Sequence, residues 1–181
     1  SQHLHVLLQK HMSASNDTKE AFEGAFAELD ALVLQNHAEK GLESGTTAIV
    51  ALIIGKTLHV ATLGDSEAVL CRKHGQETFK LSNAHKPERL DERARIVQAG
   101  GWLTVVEELA FGRLTNMDLQ DDFIREQATS MKKVAIHYVN GTLSLSRAIG
   151  DPDYKLPQIN KPSCPWEFPN GEARTFTDSV V

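Results

Sequence analysis

The chain has 181 residues, 41% of them hydrophobic and 24% charged, with a net charge of −5. That length supports one domain with a real core. The acidic balance excludes a global basic field that would draw the chain to nucleic acid or anionic lipid. No apolar run reaches the roughly 18 residues of a membrane-spanning helix.

In chain order, Leu4, Val6, Leu7, Leu8 and Met12 predict a short helix with one apolar face. After the polar break Ser13-Ala14-Ser15-Asn16, Asp17 predicts the N-cap of a second helix, and Glu20 completes a capping-box pattern. Phe22, Ala25, Phe26, Leu29, Leu32 and Val33 follow at three- and four-residue steps, one stripe to be buried. Gly41 is expected to end the helix, because glycine tolerates the left-handed cap conformation.

Residues 48–54 are continuously apolar and rich in β-branched side chains, which predicts a strand. Gly55-Lys56 is a hairpin turn leading to a strand over 57–63. Gly64-Asp65 turns again before a strand over 68–72, and His74-Gly75-Gln76 turns before 78–81. Three successive hairpins predict an antiparallel meander, its first strands covered on both faces. Pro87-Glu88-Arg89 is expected to open a helix that runs through Glu92, Ile96 and Val97 to Gly100-Gly101. Residues 103–139 carry a weaker pattern: a short helix over 118–131, then a strand over 134–139. The turn Asn140-Gly141 and a strand from Thr142 follow. From Pro152 the chain reads as extended and irregular, with 175–181 starting another strand.

Asp65 and Asp151 each follow a glycine, a pattern most often belonging to a turn. Arg147 can hold a carboxylate or phosphate bidentately, and a structural salt bridge is the commoner use. No Ser-His-Asp or Cys-His pairing emerges, and no glycine-rich loop cradles a nucleotide. The histidines, among them His59, His85 and His137, follow no zinc-ligand pattern and read as surface or strand residues. Cys71 and Cys164 are expected to be reduced thiols of an intracellular protein. The chain does not begin with Met, residues 1–12 lack the features of a signal peptide, and the sequence is expected to be part of something longer.

Several weak signals occur in one order: Ser44-Gly45-Thr46-Thr47-Ala48, Leu63-Gly64-Asp65-Ser66, His85-Lys86-Pro87, Glu92-Arg93 through Ile96, Gly100-Gly101, Ser146-Arg147-Ala148-Ile149-Gly150-Asp151 and Asp153-Tyr154-Lys155. This set resembles the middle of the type-2C, metal-dependent serine/threonine protein phosphatase domain, over most of residues 41–155. The resemblance implies an α+β fold of two stacked antiparallel β-sheets flanked by helices, an α-β-β-α sandwich. Residues 1–181 would be the central portion of one such domain, incomplete here, with a long insertion at about 103–139 in the flap region. The implied reaction is hydrolysis of phosphoserine and phosphothreonine in proteins by a water activated on Mg²⁺ or Mn²⁺. Phosphoprotein substrates, no nucleic-acid or membrane partner, a monomeric state and a cytoplasmic or nuclear location go with it.

Of the metal ligands the resemblance implies, Asp65 alone carries over, for a third and weaker ion. Arg147 and Asp151 are expected to be structural, and no catalytic residue is assigned. Two positions depart from the pattern: Glu67 stands where arginine is common, and Ala84 where aspartate is common. The family's Asp-Gly-His-Gly-Gly, Asp-Gly-aliphatic-Trp-Asp and Asp-Asn metal motifs are not among these residues. The chain is expected to start just after one and stop just before the next. It is expected to be inactive alone, since one carboxylate cannot build a bridged two-metal site. The competing reading is a catalytically inactive, phosphatase-like adaptor. The insertion is expected to shape substrate or partner choice.

Overall fold

The computed structural model describes residues 3–109, 133–155 and 178–181. Helices α1 (Leu4–Ala14) and α2 (Thr18–Lys40) pack against each other. Lys10 and His11 of α1 both reach Glu28 of α2, at 2.7 and 2.8 Å. Asp17 caps α2 as the sequence predicts, its Oδ1 accepting the Lys19 N–H at 2.8 Å. The capping box closes through a relay: the Asp17 N–H donates to Ser15 Oγ, which donates to Glu20. Gly41 ends the helix in the left-handed conformation. Ala21, Phe22, Ala25 and Phe26 are buried, with Leu29 and Val33 partly so. Leu32 is exposed instead, one step off the stripe.

Beneath these helices lies an antiparallel hairpin of β2 (Ala48–Ile54) and β3 (Thr57–Leu63), in register from Ala48↔Leu63 to Ile54↔Thr57. Ala48, Val50, Leu52, Ala61 and Leu63 pack toward the helices. The pleat sends Ile49 and Ile53 to the other face, where Ile53 is 72% exposed. The hairpin is thus covered on one face among the described residues, not on both as its apolar run suggests. β4 (Val69–Arg72) and β5 (Glu77–Lys80) form a second hairpin. The expected middle hairpin between β3 and β4 does not form, because the chain leaves the ladder at Gly64 and is tied to His85 instead.

α3 (Leu90–Gln98) starts later than expected; Pro87 sits in the preceding turn, closed by the Arg89 N–H on the Lys86 carbonyl. β6 (Leu103–Leu109) pairs with β7 (Lys133–Val139) from Leu103↔Val139 to Leu109↔Lys133. The first residues of the expected insertion are therefore one arm of a ladder. The helix expected over 118–131 lies outside the described residues, as does Cys164. The strand expected from Thr142 is reduced to one bridge, Val139↔Leu143, because Asn140 takes a left-handed φ of 48° and folds the chain back. Residues 178–181 form no strand, though Val180 donates its N–H to the Tyr154 carbonyl and both terminal valines are buried.

The class is α+β, with helices and small antiparallel ladders. Two apolar clusters form. One joins α1, α2, β2 and β3; the other gathers Ile96, Ala99, Trp102, Val139, Tyr154, Val180 and Val181. The consecutive residues Ala148 and Ile149 belong one to each cluster. The Ser146–Asp151 motif is thereby wedged between both cores, which fixes its backbone.

Candidate functional site

The motifs that are scattered in sequence meet in space around Gly64. Its φ is +91°, and a Cβ there would lie 2.3 Å from the Thr47 methyl and 2.9 Å from the Arg147 carbonyl oxygen. Only glycine lets the Thr47, Gly64 and Arg147 segments approach this closely. Thr47 Oγ1 and Ser66 Oγ lie 2.7 Å apart, and Thr62 donates to the Ser66 carbonyl. His85 joins the third segment: its N–H donates to the Gly64 carbonyl at 2.8 Å, and its Nδ1 accepts the Gly64 N–H at 3.2 Å. The His85 carbonyl in turn accepts the Ser146 N–H. Burial and then the Arg147 charge push the His85 pKa down, which keeps Nδ1 free to accept. One residue further on each side, Lys86 Nζ donates to Asp65 Oδ2 at 2.6 Å.

A carboxylate organises the cations behind this meeting point. Glu92 lies on the same face of α3 as Ile96, and it is 1% exposed. Arg147 Nε donates to both Glu92 oxygens at 3.0 Å, and Arg147 Nη2 to Oε1 at 2.5 Å. Arg95 Nη2 reaches Glu92 Oε2 at 3.0 Å and also the Ser146 carbonyl. Burial alone would raise the Glu92 carboxyl. Hydrogen bonds from Arg147 and the charge and hydrogen bond of Arg95 outweigh it and bring the pKa down to about 2. Glu92 likewise holds Arg147 above its usual value.

The remaining carboxylates fasten the motif to α2. Strands β1 (Gly45–Thr46) and β8 (Ile149–Gly150) pair antiparallel. A Cβ at Gly45 would overlap the Asp151 carboxyl, at 2.1 Å. Asp30 accepts the Gly150 N–H and the buried Lys155 ammonium, both at 2.7 Å, and Lys155 also donates to the Ala148 carbonyl. Burial pushes the Asp151 pKa up. Beside these anchors, a cleft of about 570 Å³ opens between α2 and β3, with Lys19, Phe22, His59, Thr62, His85 and Arg147 on its walls.

Of the residues that sequence reading singled out, Asp65, His85, Arg147 and the Gly150-Asp151 pair are thus brought into one connected network. Among the described histidines, His37 is buried within α2 and His85 is half-buried in a loop, neither of them the surface or strand residue expected. Sequence reading missed Glu92 as the partner of Arg147, and Asp30 as the anchor of Lys155. A glutamate one turn before the fully buried Ile96 was the available signal. The two divergent positions find local uses. Glu67 pairs with Lys80, and buried Ala84 offers its carbonyl to Arg89.

For a metal, the described residues divide. Asp65 is an oxygen donor 29% exposed, which suits a hard cation that keeps most of its waters and takes one or two carboxylates. A bridged pair of ions needs more, and no group of three His, Cys, Asp or Glu side chains comes together among the described residues. Asp65 fits one vertex of a peripheral site; the described residues do not fit a two-metal centre.

A Gly-Asp turn, an Arg-bearing Gly-Asp strand end and a Glu-bearing helix thus close on one point. The sequence matches the family Protein phosphatase 2C over residues 1–165, and the chain belongs to that family. It is 36% identical to protein phosphatase 1F of Rattus norvegicus over 151 residues, covering 83% of this chain and 27% of the relative. It is 37% identical to protein phosphatase 1E of Mus musculus over 155 residues, covering 86% and 17%. The chain thus spans about a quarter or less of these curated relatives. Among solved structures, a C. elegans sex-determining protein superposes with a TM-score of 0.60 at 23% identity, over 88% of this chain and 33% of that one. A phosphatase of Toxoplasma gondii gives 0.50 at 21% identity, over 90% and 55%. These two likenesses show the shared fold.

Proposed function

We propose that the protein is a phosphoserine/phosphothreonine protein phosphatase and that residues 1–181 form the central portion of its catalytic domain. The observation that carries this reading is the family match over residues 1–165, whose motifs the fold draws together around Gly64. Mg²⁺ or Mn²⁺ bound to the whole domain would supply the activated water. In that setting Asp65 would be one ligand of a peripheral ion. Glu92, Arg95 and Arg147 hold the backbone of residues 146–148, while Asp30 and Lys155 hold residues 148–150, so these side chains position and do not react. Phosphoproteins are the substrates, the protein acts as a monomer, and its place is the cytoplasm or nucleus. The 181 residues on their own are inactive.

The test is phosphate release by the intact protein from matched phosphothreonine, phosphoserine and phosphotyrosine peptides in Mn²⁺. Turnover of the first two with little of the third supports the proposal; preference for phosphotyrosine sinks it. A second reading, a catalytically inactive adaptor, is favoured by one observation: the candidate ligand Asp65 is already engaged by Lys86. A folded protein that binds phosphopeptides without turning them over would select it.

A further inference from the structure

Asp65 does not stand open. Two hydrogen bonds between Gly64 and His85, one between backbones and one from the Gly64 N–H to the imidazole, hold the two segments together, so that Asp65 and Lys86, each next along the chain, face one another. The ammonium sits 2.6 Å from Oδ2. Other groups nearby are turned elsewhere: Ser66 Oγ to Thr47 and Glu67 to Lys80. The pair is preformed by the loop, and its partners are 29% and 38% exposed, so water and small ions reach both. A pair of this exposure is weakly held. Divalent ions bind the same kind of oxygen and repel an adjacent ammonium.

We propose that Lys86 is the resident counter-ion of Asp65 and that a divalent cation binds this carboxylate only by displacing it. Lys86 then sets the affinity of the peripheral site: it neutralises the carboxylate when the ion is absent and swings into solvent when the ion arrives. The inference rests on the reading of Asp65 as a peripheral ligand. It adds a residue that the ligand set does not contain.

The test is Mn²⁺ binding to the intact protein, followed by electron paramagnetic resonance of the free ion, for the wild type, Lys86→Met, Lys86→Arg and Asp65→Asn. Lys86→Met is expected to tighten the weakest site by about fivefold, because the ion no longer has to displace the attraction between two unit charges, ammonium and carboxylate, about 4 Å apart in watery surroundings. Lys86→Arg should bind as the wild type does. Asp65→Asn should lose the weak site, and adding Lys86→Met to it should restore nothing. Unchanged or weaker binding in Lys86→Met overturns the proposal, as does an unchanged weak site in Asp65→Asn. Circular dichroism melts confirm that each variant is folded. Because binding is read without turnover, an inactive wild type would sink the phosphatase reading and leave this inference standing. A catalytically active wild type with unaltered binding in the variants would sink this inference alone.

Discussion

Replacing Glu92 by Gln keeps the shape of the side chain and removes its charge, leaving Arg147 and Arg95 to share a neutral amide. The Glu92 pKa falls from an ordinary 4.5 to about 2 in the folded protein. That difference corresponds to about 3 kcal/mol of preference for the ionised form. Breaking a buried ion pair from one side costs about 3–5 kcal/mol. Here the Arg147 side chain is 43% exposed, so water takes up part of the freed charge. A loss of about 2–3 kcal/mol at pH 7 is therefore expected. The sign with pH follows from the direction of the shift. A carboxylate whose folded pKa is depressed stabilises fully above its unfolded value, and the benefit disappears as pH falls through the folded one. The wild type should lose this advantage between pH 4.5 and about 2. By pH 3 the gap between wild type and Glu92→Gln should be less than half its neutral size, roughly 1 kcal/mol. Urea denaturation of both proteins at pH 7 and pH 3 measures it. A gap below about 0.5 kcal/mol at pH 7, the size of an ordinary surface substitution, or one that does not shrink in acid, would refute the assignment of Glu92 as a charged clasp.

Gly64→Ala should cost about 2 kcal/mol or more, since strain from the positive φ adds to overlap with Thr47. Gly75→Ala, with a φ of +90° but open space around it, should cost about 1 kcal/mol by the same thermal melts; equal losses would mean that crowding at Gly64 is not the cause. Asp151→Asn should stabilise the protein at pH 7. Its folded pKa is raised above 3.8, so the ionised form is penalised at neutral pH, and the advantage should vanish below the unfolded value. Destabilisation at pH 7 would contradict this. Deleting residues 110–132, which spares the β6/β7 ladder, should alter turnover of phosphoproteins more than that of a small aryl phosphate. Equal effects on both would remove the insertion from substrate choice.

Local signals in the sequence carried a good part of the fold. Asp17 and Gly41 bound α2 because caps answer backbone needs that are local. Gly55-Lys56 placed the β2/β3 hairpin for the same reason. The failures are of a different kind. Residues 103–109 alternate poorly, with Glu107 and Glu108 side by side, and become a strand only because residues 133–139 lie opposite. Gly64 looks like a hairpin turn but spends its freedom on contact with residues 47, 85 and 147, which no local pattern reports. At the site, glycine-aspartate pairs marked the right segments. The pairings of Lys86 with Asp65, Glu92 with Arg147 and Asp30 with Lys155 were not legible, because a side chain's charge says nothing about which distant charge it meets.

The central claim is that this chain is part of a metal-dependent protein phosphatase. It is tested most directly by phosphate release from a phosphothreonine peptide by the intact protein, before and after removal of divalent ions with a chelator. The account predicts turnover that stops on chelation and returns with added Mn²⁺. A folded protein that releases no phosphate at saturating Mn²⁺, or one whose turnover ignores the chelator, would contradict it.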